Sequence, residues 1–417
     1  MLIFSHPTGN ANVRHAALGL FRAGLLQEFW TCLNFRAPPS LERLLPGRIR
    51  GQLRRRAYPD ELTAVIHTQP VREVVRLFAP KLGLAGLVRH ETGPVSVDAV
   101  YRALDRAVAR RLHRGNFTGV YAYEDGAQYS FLEARRRGAC TLYDLPIGHW
   151  RAARTLLLEE AERKPEWAAT LTGNRDSAAK TERKDAELAL ADVVFVASTY
   201  TRQTLTAAAD FTGTVVVVPY GAPSGLTANL ARTPAPNPRL RVLFVGSLGQ
   251  RKGLSYLFDA CRQVQSAVTL TVIGQKPLEP CPVLDRELAA VRWIASCPHA
   301  QILAEMAAHD VLVFPSLFEG FGLVLLEAMA MGLPVITTAH TAGPDLIQDG
   351  VEGFIVPIRD SAAIATCLER LHDDPLRLAE MSRAARQRAG EFTWANYETT
   401  LAACVGQALA KVEGAGE

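Results

Sequence analysis

The chain has 417 residues, of which 48% are hydrophobic and 21% charged, a composition that excludes a disordered chain, a collagen-like repeat and a coiled-coil rod. At roughly 100–200 residues per domain the length points to two or three domains, two being the better fit. The net charge of +4 hides an asymmetry: residues 1–160 hold 23 Lys+Arg against 14 Asp+Glu, so a basic front precedes a mildly acidic back.

In chain order, short apolar runs predict strands over residues 2–5, 63–66, 118–123, 140–144, 193–197 and 215–219. Residues 222–238 are rich in Pro, Ala and Asn and read as a linker, with a domain boundary near residue 230. Beyond it the reading is cleaner. Strands over 242–246 and 268–274 flank a helix from 254 to about 264. A helix over 299–308 leads into a strand over 311–315. A helix over 322–331 is followed by strands over 334–338 and 354–357, then a helix over 361–372. Strict alternation of strand and helix implies βαβ units and a parallel sheet covered on both faces.

Seven scattered cysteines with no Cys-x-x-Cys pair argue against a disulfide framework or a zinc site and fit a reducing cytosol. The start, Met1-Leu-Ile-Phe-Ser-His-Pro7, lacks the basic region of a signal peptide. With no window of about 18 uncharged apolar residues, no membrane span is expected.

The most informative stretch runs from Pro315 through Glu319-Gly320-Phe321-Gly322-Leu323 to Glu327 and on to Gly332-Leu-Pro334. A buried strand ends, a Gly-punctuated turn follows, and a helix begins near Gly322. In an open parallel sheet, ligands bind beyond the carboxyl ends of the strands. A helix N-terminus there offers unpaired N–H groups and a positive dipole end, suited to phosphate or a polar sugar. Gly320 and Gly322 allow close backbone approach, and Glu319 and Glu327 can accept hydrogen bonds from hydroxyls. Singly, the glycines read equally well as turn chemistry and one early-helix Glu as dipole complementarity. A second element, Val245-Gly246-Ser247-Leu-Gly249-Gln-Arg251-Lys252-Gly253, also follows a strand and opens a helix. Arg251 as a fork and Lys252 as a point charge suit a diphosphate; the plain alternative is a surface Arg-Lys pair beside a tight turn.

The Glu319/Glu327 spacing within E-G-F-G-x-x-x-x-E-A-M-A-x-G-x-P-V resembles the donor-site signature of family 4 glycosyltransferases, retaining enzymes of the GT-B fold. Residues 343–357, the stretch from Asp192 to Ser198, Pro219-Tyr-Gly221 and Phe392-Thr-Trp394 extend the likeness, which is strongest from about 185 to 400. The resemblance implies an α/β architecture of two Rossmann-like doubly wound domains facing across a cleft. An acceptor-side domain would span 1–228, a nucleotide-sugar domain 229–391, and a C-terminal helix in 392–417 would pack back on the first. It implies Gly246, Ser247, Arg251, Lys252, Gly274, Glu319, Gly320, Phe321, Gly322, Leu323 and Glu327 at the donor, with the nucleobase near Gly274 and residues 293–303. The family's usual arginine is replaced here by Ser247, with Arg251 as the substitute.

In the front half, Gly9, Asn10 and Arg14 follow the first strand and read either as cleft residues or as a turn with Arg14 on a solvated helix face. Glu124 and Asp125 are acceptor-side candidates, though Asp125 reads equally as a helix N-cap. The family often places a functional His after the strand over 140–144. Asp144 stands near that register and His149 five residues on, so both are catalytic candidates beside Glu319, Lys252 and Arg251; His149 next to Trp150 also reads as a packed histidine. Arg36 to Arg56 interleaves arginines with leucines and isoleucine, a pattern that can lie on an anionic membrane or form a solvated helix face.

The expected activity is transfer of a sugar from a nucleotide-diphosphate-sugar to an acceptor hydroxyl, without metal or other cofactor. The acceptor would be a glycan, a lipid-linked molecule or a small molecule, with the basic front half suggesting an anionic or membrane-borne one. The protein is expected in the cytoplasm, with a peripheral place at the inner membrane face as a further expectation. Rivals are a GT-B nucleotide-sugar epimerase and a silent relative that only binds a partner. No G-x-G-x-x-G follows a strand, which speaks against a dinucleotide oxidoreductase, and no reader motif suggests nucleic acid.

Overall fold

A computed structural model describes residues 1–35, 56–171, 173, 175–208, 211–222 and 239–414. Of the basic stretch Arg36 to Arg56 only Arg56 is included, and of the 222–238 linker only Ala222; the rest of both lies outside the described residues.

The first sheet holds β1 (Leu2–Ser5), β2 (Leu26–Thr31), β3 (Ile66–Thr68), β4 (Gly119–Tyr123), β5 (Cys140–Leu145), β6 (Val193–Val196) and β7 (Thr214–Val217), in the order β3-β2-β1-β4-β5-β6-β7. The second holds β8 (Leu240–Val245), β9 (Val268–Ile273), β10 (Arg292–Ile294), β11 (Val311–Phe314), β12 (Val335–Thr338) and β13 (Gly353–Val356), in the order β10-β9-β8-β11-β12-β13. Every neighbouring pair is parallel. Parallel strands are covered on both faces, which is why β1, β4, β5, β11 and β12 are buried along their whole length, mostly apolar with a few buried polar residues such as Thr141, Asp144, Thr337 and Thr338.

Two sequence expectations need correction. The strand read over 63–66 is instead the 3-10 turn Asp60–Ala64, followed by β3. β2 and β10 were not expected. The Gln27-Glu28 pair interrupts β2's apolar pattern, but Glu28 is buried because Arg111 and the Trp30 indole hold its carboxylate. β10 is a three-residue edge strand carrying Arg292 and Trp293.

The chain leaves one sheet after β7 and enters the other at β8. Its last helix, Trp394–Gly414, lies against the first, Ala11–Arg22. The two approach closely at Gly19, where a Cβ would meet the Glu398 backbone at 2.8 Å. Glu398 accepts from Arg22 at 2.8 Å and from His15 Nδ1 at 2.6 Å, and the His15 ring stacks on Trp394.

Strand order reverses between β1 and β4 in the first sheet and between β8 and β11 in the second. Such switch points open a crevice beyond the strands' carboxyl ends. The loops at the second switch point are 246–253 and 315–322, the two segments that carry the motifs.

Candidate active site

After β8 the chain makes a 3-10 turn, Gln250–Lys252, capped by Gly253 at φ +70°. A side chain at Gly253 would meet the Pro315 carbonyl at 2.0 Å, so this glycine lets the loops after β8 and β11 touch. The contact brings together the charges that sequence places 67 residues apart. Glu319 Oε2 accepts from Lys252 Nζ and, at 3.2 Å, from an Arg251 guanidinium N–H, which also donates to the Phe318 carbonyl at 2.6 Å. Burial lowers the Arg251 pKa; burial and the Arg251 charge lower that of Lys252. Two desolvated cations sharing one carboxylate make a site primed for a second anion.

The helix Leu323–Ala330 starts from Gly322 at φ +84°, the left-handed conformation glycine adopts freely. Phe321 turns its ring inward against Tyr220, and its carbonyl accepts from Ala342 N at 3.0 Å. Glu327 lies within this helix and its Oε1 is 2.9 Å from His299 Nε2, so His299, from the 293–303 segment expected near the nucleobase, shares the position. Beyond β9, Gly274 packs directly on Gly246, where a Cβ would stand 1.8 Å from the Gly246 carbonyl. Its own carbonyl accepts from the Trp293 indole at 3.0 Å, and Lys276 lies 4.4 Å over that ring. A partly exposed aromatic face thus stands beside the cationic turn.

The loop bearing Glu319 is held from the first domain. The Gly320 carbonyl accepts from Ser198 and from Thr201 at 2.9 Å, and a Cβ on Gly320 would strike the Pro146 carbonyl at 2.0 Å. Thr199 N donates to Asp345 at 2.9 Å.

The front-domain candidates take other places. His149 is buried; it caps the helix Trp150–Arg163 through Nδ1, its Nε2 lies 3.5 Å from Asp185, and burial pushes its pKa down to about 4. Its Nε2 is buried and makes no hydrogen bond among the described residues. Asp144 is buried and accepts from the Tyr121 hydroxyl at 2.6 Å in a pocket closed by Tyr220 and Tyr397; burial pushes it up to about 7. Asp125 does not cap the following helix. It sits at φ +73° and pairs with Arg183 at 2.9 Å, while the helix's first N–H groups go to Asp105, which accepts from Tyr129 and Ser130, and to Glu187, which accepts from Gln128 and from Asp125 and Ala127 before it. Glu124 lies 3.5 Å from Lys184, its pKa raised to about 7 by burial. Gly9 touches the Tyr58 ring, Asn10 is exposed, and Arg14 is partly buried 6.0 Å from that ring.

Sequence suggested no metal cluster, yet among the described residues His90, Glu91 and Asp176 bring ligand-type atoms within 4.8 Å of one another. Asp176 is paired with Lys180 and Lys184 at 3.1 Å each, and Glu91 accepts from Ser177, so the trio belongs to an ion-pair network of the first domain. No described helix is long and apolar enough to cross a membrane.

Residues 239–374 match the family described as Glycosyl transferases group 1. Glycogen synthase of Mycobacterium tuberculosis is 32% identical over 180 residues, 41% of this chain and 43% of that protein. D-inositol 3-phosphate glycosyltransferase of Streptomyces griseus is 33% identical over 193 residues, 42% of this chain and 41% of that protein. The chain therefore spans less than half the length of either curated relative. The Anabaena protein Alr3699/HepE, solved in complex with UDP, superposes with a TM-score of 0.63 at 16% identity, covering 97% of this chain and 99% of that one. Sucrose-phosphate synthase from Thermosynechococcus elongatus gives 0.61 at 19% identity, with 99% of each chain covered.

Proposed function

We propose, from a second domain of the group 1 glycosyltransferase family set in a GT-B fold, that this chain transfers a sugar from a nucleotide-diphosphate-sugar to an acceptor hydroxyl, as a metal-independent, retaining enzyme of family 4. The observation that carries the reading is the convergence of Arg251, Lys252 and Glu319 at the second domain's switch point, with Glu327 in the helix that follows. Fixed cations in a desolvated turn stabilise charge that develops on a departing diphosphate, with no solvent reorganisation at the moment of reaction. In the free protein Glu319 holds both cations; the arriving diphosphate takes them over and frees the carboxylate for the sugar. Glu327 accepts from the ribose hydroxyls. The acceptor hydroxyl attacks the face that the diphosphate leaves, and a departing phosphate oxygen takes its proton. UDP-sugars are the first donors to test, since UDP is bound in the Anabaena neighbour.

The test is a thermal-shift panel of UDP-, GDP- and ADP-sugars, followed by nucleotide-release assays with candidate acceptors. A donor should raise the melting point by mass action. No shift with any of them refutes the donor site. Nucleotide release that needs an acceptor separates transfer from epimerisation.

The acceptor side is proposed to meet an anionic membrane. The stretch of that idea within Arg36 to Arg55 lies outside the described residues, but the adjoining surface supports it. On and after the helix Pro70–Phe78, Val71 is 73% exposed and Leu82 72%, with Val74, Val75, Phe78 and Leu84 also exposed. Beside them runs a groove of about 950 Å³ lined by Arg72, Arg106, Arg110 and Arg136 against a single acid, Glu133. Apolar side chains flanked by arginines match the boundary between acyl chains and anionic headgroups.

A further inference from the structure

Glu160 takes no part in the chemistry proposed above, yet it is 0% exposed and fully hydrogen-bonded. It lies on the helix Trp150–Arg163, in the front half of the sequence, and its partners all come from the second domain. Oε1 accepts from Gln250 Nε2 at 2.7 Å and from the Tyr256 hydroxyl at 2.9 Å; Oε2 accepts from Arg359 Nε at 2.7 Å. Arg359 holds φ +65°, a left-handed conformation that costs a bulky residue and persists only where its surroundings over-determine it. The surroundings here are the anchors of its guanidinium: Glu160, Glu159 at 3.2 Å and the Leu156 carbonyl at 3.1 Å.

Gln250 is equally confined. It is 0% exposed; its amide also donates to Ser255 Oγ at 2.6 Å and accepts from Ser255 N at 3.1 Å, and its backbone N–H donates to Thr170 Oγ1 at 2.9 Å. So Gln250, which opens the 3-10 turn, is gripped at its side chain by Glu160 and at its backbone by Thr170, both from the front half. The next two residues are Arg251 and Lys252. A buried carboxylate must keep its donors, because a bare one is far costlier than a paired one. Gln250 therefore cannot shift without breaking a network that has no slack.

We infer that Glu160 is a positioning residue for the donor diphosphate: through Gln250 it fixes the turn that carries Arg251 and Lys252, so the pose of the two cations depends on how the helix Trp150–Arg163 docks on the second domain. This rests on the assignment of that pair to donor phosphates. A purely structural ion pair would lower stability when broken but would leave nucleotide affinity unchanged and uncoupled to Gln250.

The experiment titrates the full chain with UDP, GDP and ADP by calorimetry and takes the tightest through a double-mutant cycle of Glu160→Gln, Gln250→Met and the double variant. Each single change should weaken that nucleotide about tenfold, the scale of one charged hydrogen bond. The double variant should bind no worse than the weaker single, since both cut the same link. Unchanged affinity in the singles, even with a lower melting point, overturns the inference, as do additive losses. If Glu160→Gln does not fold, Gln250→Met decides alone, because it leaves the Glu160 bonds to Arg359 and Tyr256 in place: a tenfold loss supports the inference and no loss overturns it. Failure of the unaltered protein to bind any of the three overturns the donor-site proposal itself, and this inference with it; binding by the unaltered protein with no response to either variant overturns only the role of Glu160.

Discussion

At the scale of single residues, the proposed donor site works by charge exchange. Lys252 is buried, lies 4.7 Å from the Phe314 ring, and has Glu319 as its counter-charge. A cation held this way should contribute more to the transition state than to the ground state, because charge on the diphosphate grows as the sugar leaves. Lys252→Ala is expected to lower kcat by about 10²–10³, the scale for losing one preorganised electrostatic donor. Glu327→Ala should raise the donor KM with a smaller effect on kcat, since the ribose contact proposed for it would be the same in ground and transition states. Steady-state kinetics with varied donor separates the two; equal effects on kcat from both changes would refute the division of roles. Asp144 makes a different prediction. Burial lifts it from 3.8 to about 7, so the fold favours its neutral form, and the unfolded chain binds fewer protons than the folded one between those values. Stability from this group is therefore fully present near pH 4 and lost as pH rises towards 7. Asp144→Asn, which keeps an acceptor for Tyr121, should gain melting temperature relative to the unaltered protein at pH 8 compared with pH 5, by on the order of 5 °C. An equal difference at both pH values would place the charged carboxylate in the native state throughout.

At the scale of elements, close backbone approaches decide how the parts dock. The helix Trp394–Gly414 reaches the helix Ala11–Arg22 because Gly19 leaves room, and its Leu409 lies against Gly119 of β4. Gly19→Val should force the two helices apart and destabilise by about 1–3 kcal/mol, the range for overpacking a tight contact; a chemical-denaturation midpoint unchanged from the parent would refute that. Such approaches were poorly legible in the sequence, whereas many strands were plain. β11 is Val-Leu-Val-Phe, buried on both faces, and needs no partner to be recognised. β2 is Leu-Gln-Glu-Phe-Trp-Thr, and its glutamate makes sense only with Arg111, which lies 83 residues on. The cationic turn and Glu319 were legible because local motifs mark each of them. Glu160 was not, because its partners Gln250 and Arg359 lie 90 and 199 residues away and nothing local sets it apart from Glu159 beside it. Asp144 and His149 drew attention by register, but register does not show whether a side chain turns into the cleft or the core.

At the scale of the whole molecule, the proposed membrane contact gives the front half's excess of positive charge a role. The helix Pro70–Phe78 and the residues after it present exposed Val71, Phe78, Leu82 and Leu84 next to the arginine-lined groove. Water-facing apolar side chains gain by burial, at about 25 cal/mol per Å², and each nearby arginine adds about 1 kcal/mol at an anionic surface. Neither contribution alone holds a protein on a bilayer, but the two act on the same face. Vesicles of phosphatidylglycerol and phosphatidylcholine should therefore capture the protein in flotation, and vesicles of phosphatidylcholine alone should not. Phe78→Ser with Leu82→Ser should release it from the mixed vesicles while leaving turnover of a soluble acceptor intact, because both residues lie outside the switch-point loops. Arg106→Ser with Arg110→Ser should weaken capture more at low salt than at high salt, where the charge term is already screened. Capture by neutral vesicles, or capture indifferent to both pairs of changes, would refute this face as the membrane contact. A shift to dimers on removing the vesicles, abolished by Phe78→Ser and Leu82→Ser, would assign the same face to self-association instead.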